Sequence, residues 1–304
     1  MLRPSAREAL QAEIIKRRLP VDFMSTVERW YLPLAQHINT VRNSKNKPIV
    51  VSFNGSQGSG KSTLTAFLTL ILQHQFDQFS VELSIDDFYL THAERKQLAL
   101  DVHPLLATRG VPGTHDVMLA KNTLDCLLSC SANNSCSLPR FDKAIDDRLD
   151  PQDWPRVSQP VQVILFEGWC NHAPVQTIEH LVEPVNELEH DEDTQGIWRR
   201  YANQQLIEYH QQLFERADLL VLLQAPSFEM VYEWRGLQET KLAQDSSAAQ
   251  KGIMNEQQLH RFIQHYERIT RQALKYLPDT ADVVLSLNDQ HAINAIRFRE
   301  TVGV

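Results

Sequence analysis

The sequence predicts an α/β fold, a parallel sheet with helices on both faces and a glycine-rich turn after its first strand. Five short runs, Ile49–Phe53, Phe79–Ile85, Val161–Phe166, Asp218–Leu223 and Asp282–Leu287, are apolar without regular alternation. Strands buried on both faces read this way. Helical patterns fill the intervals, over 61–75, 92–100, 116–130, 199–216, 227–244 and 256–277. Strands and helices taking turns indicate a parallel sheet, whose ligand is expected at the loops after the strands' carboxyl ends. The third observation is the run Gly55-Ser56-Gln57-Gly58-Ser59-Gly60-Lys61-Ser62, set between the first strand and the first of those helices.

Residues 5–18 and 22–42 read as two amphipathic helices parted by Leu19-Pro20, and 43–48 as a polar connector. The division expected is an N-terminal helical extension, 1–48, and one globular unit, 49–304. Thr91-x-x-Glu94 is a capping box for the helix at 92–100. Residues 101–115 and 131–160 fit no regular element, and irregular loops of that length are usually functional. The acidic run 187–193 reads as a solvated surface loop. Cys126, Cys130, Cys136 and Cys170 lack metal-site spacing and read as free thiols in a reducing compartment. No apolar run is long enough to span a bilayer, and no apolar signal core follows Met1, so a cytoplasmic location is expected. A net charge of −8 argues against broad electrostatic binding to nucleic acid or to an anionic membrane. Any anion site must then be local, built from a few Lys and Arg at one cleft.

The glycine-rich run matches G-x-x-x-x-G-K-[ST] in the strand-to-helix context that the motif requires. Gly55, Gly58 and Gly60 let successive N–H groups turn inward around a phosphate, and the helix N-terminus adds partial positive charge. Ser56, Gln57, Ser59 and Thr63 complete the nucleotide-binding set. Lys61 is placed to reach the β- and γ-phosphates of ATP, and Ser62 to ligate Mg²⁺.

At the end of the second strand stands Leu83-Ser84-Ile85-Asp86-Asp87-Phe88-Tyr89. A phosphoryl-transfer enzyme needs a carboxylate there to orient the acceptor hydroxyl and take its proton. Adjacent strand residues point to opposite faces, so Asp86 is assigned that role, on a strand expected to neighbour the first. Asp87 and Tyr89 are assigned to the acceptor side. Glu167, after Val161–Phe166, has the position of the second acid that holds Mg²⁺ in such proteins.

Leu83–Leu90, Arg109-Gly110-Val111-Pro112-Gly113-Thr114-His115-Asp116, Pro139-Arg140-Phe141-Asp142-Lys143, Leu165-Phe166-Glu167-Gly168-Trp169 and Val231-Tyr232-Glu233-Trp234-Arg235 together resemble, in order, the blocks of the plant-type D-glycerate 3-kinases. The resemblance runs from about Ile49 to Leu287. More distantly the chain is similar to uridine kinases, phosphoribulokinases and bacterial pantothenate kinases. The family usually has Tyr where Phe141 stands and Ser where Thr114 stands. The resemblance implies a five-stranded P-loop kinase core with a mobile lid, Asp86 as catalytic base, Glu167 near Mg²⁺, and Asp116 on acceptor hydroxyls. Glycerate carries a carboxylate, for which Arg109, His115, Arg140 and Lys143 can supply counter-charge. Arg235 and Lys241, on the helical pattern 227–244, suit a cationic lid closing on the γ-phosphate, with the polar stretch 244–252 as its connection.

The function expected is ATP-dependent transfer to a hydroxyl of a small hydroxy acid, D-glycerate first. The alternatives are another small alcohol, such as a nucleoside or a pantothenate-like acceptor, and a nucleotide-dependent switch or ATPase. A switch would not need two long arginine-bearing loops beside Asp86.

Overall fold

The computed structural model describes residues 2–244 and 255–299, the side chains of 237–244 excepted. The chain opens with α1 (Pro4–Lys16), α2 (Phe23–Thr26), a π-helical turn at Val27–Tyr31 and α3 (Leu32–Lys45). β1 (Ile49–Gly55) runs into α4 (Lys61–Phe76). β2 (Ser80–Ser84) runs into a 3-10 turn at Ile85–Phe88 and then α5 (His92–Asp101), whose capping box from Thr91 and Glu94 forms as predicted. After α6 (Val117–Leu128) come two antiparallel pairs, β3 (Cys136–Ser137) with β6 (Arg156–Val157), and β4 (Phe141–Asp142) with β5 (Asp147–Arg148). The segment 131–160 is therefore not wholly irregular. Its strands are two residues long, too short to leave a periodic signal. β7 (Val163–Gly168), α7 (Glu187–Glu192), α8 (Ile197–Gln212), β8 (Leu219–Gln224), α9 (Phe228–Gln244), α10 (Glu256–Thr280), β9 (Val283–Leu287) and β10 (Ile293–Phe298) follow.

The main sheet has the order β10-β9-β8-β1-β7-β2. Five strands are parallel, as predicted, and β10 adds an antiparallel edge with most of its side chains exposed. That exposure is why no apolar run marks it. β1 and β2 are not neighbours, contrary to expectation, because β7 pairs with both. The crossover puts Glu167 of β7 between the glycine-rich loop and the Asp86 turn. Parallel neighbours need not be consecutive in sequence, and nothing local in the chain states the order.

Side-chain alternation along β1 decides what covers each face. Ile49, Val51 and Phe53 join Leu64, Phe67 and Ile71 of α4, and the extension's Leu10 and Ile38, in one apolar cluster. Val50 points the other way, with Ile164, Phe166, Leu124, Tyr209 and Tyr266 from β7, α6, α8 and α10. Helices thus sandwich the sheet.

Two expectations fail. The acidic run is not a solvated loop: Glu189 and Asp193 are each 1% exposed. Arg268 donates to Glu189 at 2.7 and 2.6 Å and to the carbonyls of His180 and Glu183. Arg199 donates to Asp193 at 2.9 Å and to the carbonyls of Leu181 and Val182. Buried carboxylates persist only with such full pairing, and the two arginines staple residues 180–193 onto α8 and α10.

The second concerns the cysteines. Cys126 at the end of α6 and Cys136 on β3 form a disulfide, the turn between them bringing their Cα atoms to 5.8 Å. Cys130 and Cys170 are the free, buried thiols. The expectation of four free thiols is corrected accordingly, and half of its support for a reducing compartment goes with it. Alkylation of the denatured, unreduced protein should label two cysteines, and alkylation after reduction four, read by intact mass. Four labels without reductant would refute the bond.

Candidate active site

The glycine-rich loop holds its shape through backbone that only glycine adopts easily: Gly58 has φ +76° and Gly60 +93°. Gly55 ends β1 in close contact with the loop it opens, since a Cβ there would lie 2.7 Å from Ser59 Oγ. A Cβ on Gly58 would lie 3.2 Å from Trp234 Cβ, so α9 packs directly on the loop. Behind it, Asn54 Nδ2 donates to the carbonyl of Asn171 at 2.5 Å, and Asn171 Nδ2 donates to Ser52 Oγ and the Phe166 carbonyl. This lashes the ends of β1 and β7 together.

Lys61 Nζ donates to the Ser56 carbonyl at 3.0 Å, across the mouth of the loop. Burial lowers its pKa, against the raising influence of Glu167 and Asp86. Ser56 Oγ and Ser59 Oγ are buried with no hydrogen-bond partner. Orphaned hydroxyls beside inward N–H groups suit a polyanion. Thr63 N donates to the Gly60 carbonyl in the first turn of α4. Ser62 Oγ donates to Glu167 Oε1 at 3.1 Å, so a hydroxyl and a carboxylate from different elements meet beside that loop. Gln57 reaches the Tyr266 hydroxyl.

The acidic turn takes a different form from the strand end expected. β2 stops at Ser84, whose Oγ accepts the Asp86 amide, and the 3-10 turn presents both carboxylates on one side. Asp86 accepts from Lys143 Nζ at 2.6 Å and from the Tyr89 hydroxyl at 2.9 Å. Asp87 accepts from Arg140 at 3.0 Å and from the Phe141 amide at 3.3 Å. Burial raises the Asp86 pKa, but Lys143 above all, then His115 and Tyr89, bring it below the ordinary value. For Asp87 burial wins over Arg140, and its pKa is raised. The two neighbouring carboxyls are thus shifted in opposite directions, Asp86 down and Asp87 up.

His115 bridges to Tyr89, their rings stacked at 4.3 Å. Gly113 N–H donates to the Tyr209 hydroxyl at 2.8 Å, and that hydroxyl also lies 2.9 Å from His115 Nδ1. His115 Nε2 is buried without a partner. Burial pushes the ring's pKa down to about 4, against a smaller raising influence of Asp86. His115 is therefore neutral near pH 7 and not the counter-charge expected. Arg109 is also committed: it pairs with Asp146, which further binds the buried Arg95 and His92. Asp116 caps α6 through the Leu119 amide and lies 3.5 Å from Arg148. The structure thus gives Asp116 a helix-capping contact beside whatever it offers an acceptor.

Comparison with known proteins fits this geometry. No protein-family model matches the chain. It is 29% identical over 272 residues to the chloroplastic D-glycerate 3-kinase of Arabidopsis thaliana, covering 82% of this chain and 55% of that one. It is 31% identical over 251 residues to the uncharacterized kinase mug58 of Schizosaccharomyces pombe, covering 80% of this chain and 87% of that one. The chain belongs to one family of P-loop kinases with mug58, and it is similar to the plant D-glycerate 3-kinase. A solved D-glycerate 3-kinase from Cryptococcus neoformans shares its fold, with a TM-score of 0.72 at 24% identity over 88% of this chain and 99% of that one.

Arg235, assigned to a lid from the sequence, lies on α9. Arg235 lies beside the P-loop, its guanidinium 5.7 Å from the Phe262 ring centroid, and its backbone N is 3.6 Å from where a Gly58 Cβ would stand. The side chain of Lys241 and most of the predicted connection 244–252 lie outside the described residues. Three residues that the family motifs do not mark complete the kinase site. Arg95, 1% exposed, binds the carbonyls of Leu90, Ala107 and Asp146 and fixes both long loops. The Tyr209 hydroxyl is hydrogen-bonded to His115 Nδ1, and Tyr266 donates to the Arg109 carbonyl. Their partners lie far off in sequence, so no spacing signals them. A buried Arg five residues after Leu90, one turn past a capping box, is the only local hint.

Proposed function

We propose that the chain transfers the γ-phosphoryl group of ATP to a hydroxyl of a small hydroxy acid, and we assign D-glycerate as the acceptor. The observation that carries this reading is Asp86 near Lys61 with Lys143 upon it, next to Asp87 with its Arg140 and close to the buried His115. A carboxylate base surrounded by donors and cations suits an acceptor that bears both a hydroxyl and an anion. The similarity to a D-glycerate 3-kinase supports the specific choice.

In the reaction the acceptor oxygen bonds to the γ-phosphorus, the bond from that phosphorus to the β,γ-bridging oxygen breaks, and ADP leaves. Asp86 orients the hydroxyl and takes its proton as the new bond forms. Lys61 and the P-loop amides hold the β- and γ-phosphates where charge develops. Ser62 and Glu167 would hold Mg²⁺, which neutralises phosphate charge. Arg235, on the helix α9 that packs against the P-loop, adds positive charge and excludes water, a competing acceptor.

Purified protein with ATP, Mg²⁺ and D-glycerate should release ADP and form phosphoglycerate, detected by ³¹P NMR. Uridine, pantothenate and an ATP-only control complete the panel. ADP release no faster with D-glycerate than with ATP alone removes D-glycerate, and acceleration by one of the other two names the acceptor instead.

A further inference from the structure

We propose that Lys143 is a latch on the base Asp86, and that an acceptor opens it by bringing an anion of its own. The inference rests on the kinase reading but goes beyond it, because it assigns a cause to acceptor selectivity and to the suppression of wasteful hydrolysis.

Both oxygens of the Asp86 carboxylate are occupied: Oδ1 by the Tyr89 hydroxyl at 2.9 Å and Oδ2 by the Lys143 ammonium at 2.6 Å. The Tyr89 contact is permanent, since that ring is buried between His115 and Phe141. The Lys143 contact is of another kind. Its side chain is 59% exposed and comes onto Asp86 from the solvent side, whereas Asp86 itself is 29% exposed. Lys143 starts the β4–β5 turn. Asp146, near the other end of that turn, is anchored by Arg95, Arg109 and His92. The foot of the hairpin is anchored by Arg140 on Asp87. Of these hairpin residues only Lys143 contacts the base itself, and its long, flexible stem lets the ammonium swing while the hairpin stays put.

While the ammonium sits on Oδ2 it competes with an approaching hydroxyl for that oxygen, and the ion pair lowers the basicity of the carboxylate. A neutral alcohol or a water molecule offers the ammonium nothing in exchange. A carboxylate beside the reacting hydroxyl does: it takes the ammonium, and its own hydroxyl takes the vacated place on Oδ2. The same swap selects anionic acceptors over neutral ones of equal shape, and it holds ATP hydrolysis low when no acceptor is present.

The test needs no acceptor. With ATP and Mg²⁺ only, Lys143→Met should hydrolyse ATP about tenfold faster than the unaltered enzyme, as water delivers its proton to the unlatched Asp86 and ADP and phosphate are released. Lys143→Met combined with Asp86→Asn should fall back to or below the unaltered rate, whereas a merely loosened hairpin would leave the gain in place. Independently of any variant, millimolar acetate should accelerate hydrolysis by the unaltered enzyme relative to chloride at equal ionic strength. Hydrolysis unchanged in Lys143→Met together with no acetate effect overturns the latch, as does a gain that survives Asp86→Asn. A failure of D-glycerate as acceptor would remove that substrate and leave these hydrolysis results standing, so the two readings fail separately.

Discussion

Asp86→Asn should lower acceptor-dependent turnover by about 10²–10⁴, the usual worth of a general base, while ATP affinity changes little. The substitution keeps the shape and an oxygen able to accept the Tyr89 hydroxyl, so the 3-10 turn at Ile85–Phe88 has no reason to move. What is lost is a carboxylate whose pKa Lys143, His115 and Tyr89 hold below its ordinary value against the opposing effect of burial. Asp87 is no substitute, because both its oxygens are engaged, by Arg140 and the Phe141 amide. The measurement is kcat with saturating acceptor beside ATP binding by calorimetry. Near-normal kcat would reduce Asp86 to a structural anchor for the hairpin and end the kinase mechanism as written.

The difference between those two carboxylates was only partly legible in the sequence. Strand alternation argued for one functional acid, and the choice of Asp86 agrees with the geometry for another reason: the strand has already ended, and pairing, not alternation, separates the two. The P-loop is legible because its backbone geometry is a local property of Gly58, Gly60 and the helix that starts at Lys61. Strand order is not local, so the insertion of β7 between β1 and β2 could not be read, although it is what sets Glu167 against Ser62. The acidic run fails for the same reason. Glu189 looks solvated until Arg268, 79 residues later, is folded onto it. His115 and Arg109 were expected as counter-charges for an acceptor, an expectation that takes no account of burial or of Asp146. Long-range pairing engages Arg109, Arg140 and Lys143 alike, and Lys143, with its side chain 59% exposed, is the most open of them to solvent.

Lys61→Ala should show the opposite kinetic pattern, losing affinity and rate together. A charge-assisted hydrogen bond to phosphate is worth about 1.5–3 kcal/mol in binding, or roughly 10–100-fold. Removing a donor aimed at developing charge costs about 10²–10³ in kcat, so kcat/KM for ATP should fall by about 10³–10⁵. The surroundings sharpen the effect. Glu167 and Asp86 are the groups that keep Lys61 protonated against burial. Without the ammonium they remain as two carboxylates facing an incoming triphosphate, so repulsion is added to the lost attraction. Arginine is no remedy, because its planar fork does not reproduce a compact ammonium seated against the Ser56 carbonyl. ATP dissociation constants measured by calorimetry, with kcat in parallel, separate the two variants: Asp86→Asn moves kcat alone, and Lys61→Ala moves both. Unaltered ATP affinity in Lys61→Ala would mean that the triphosphate does not lie in the glycine-rich loop, and the assignment of Asp86 as the base facing it would fall as well.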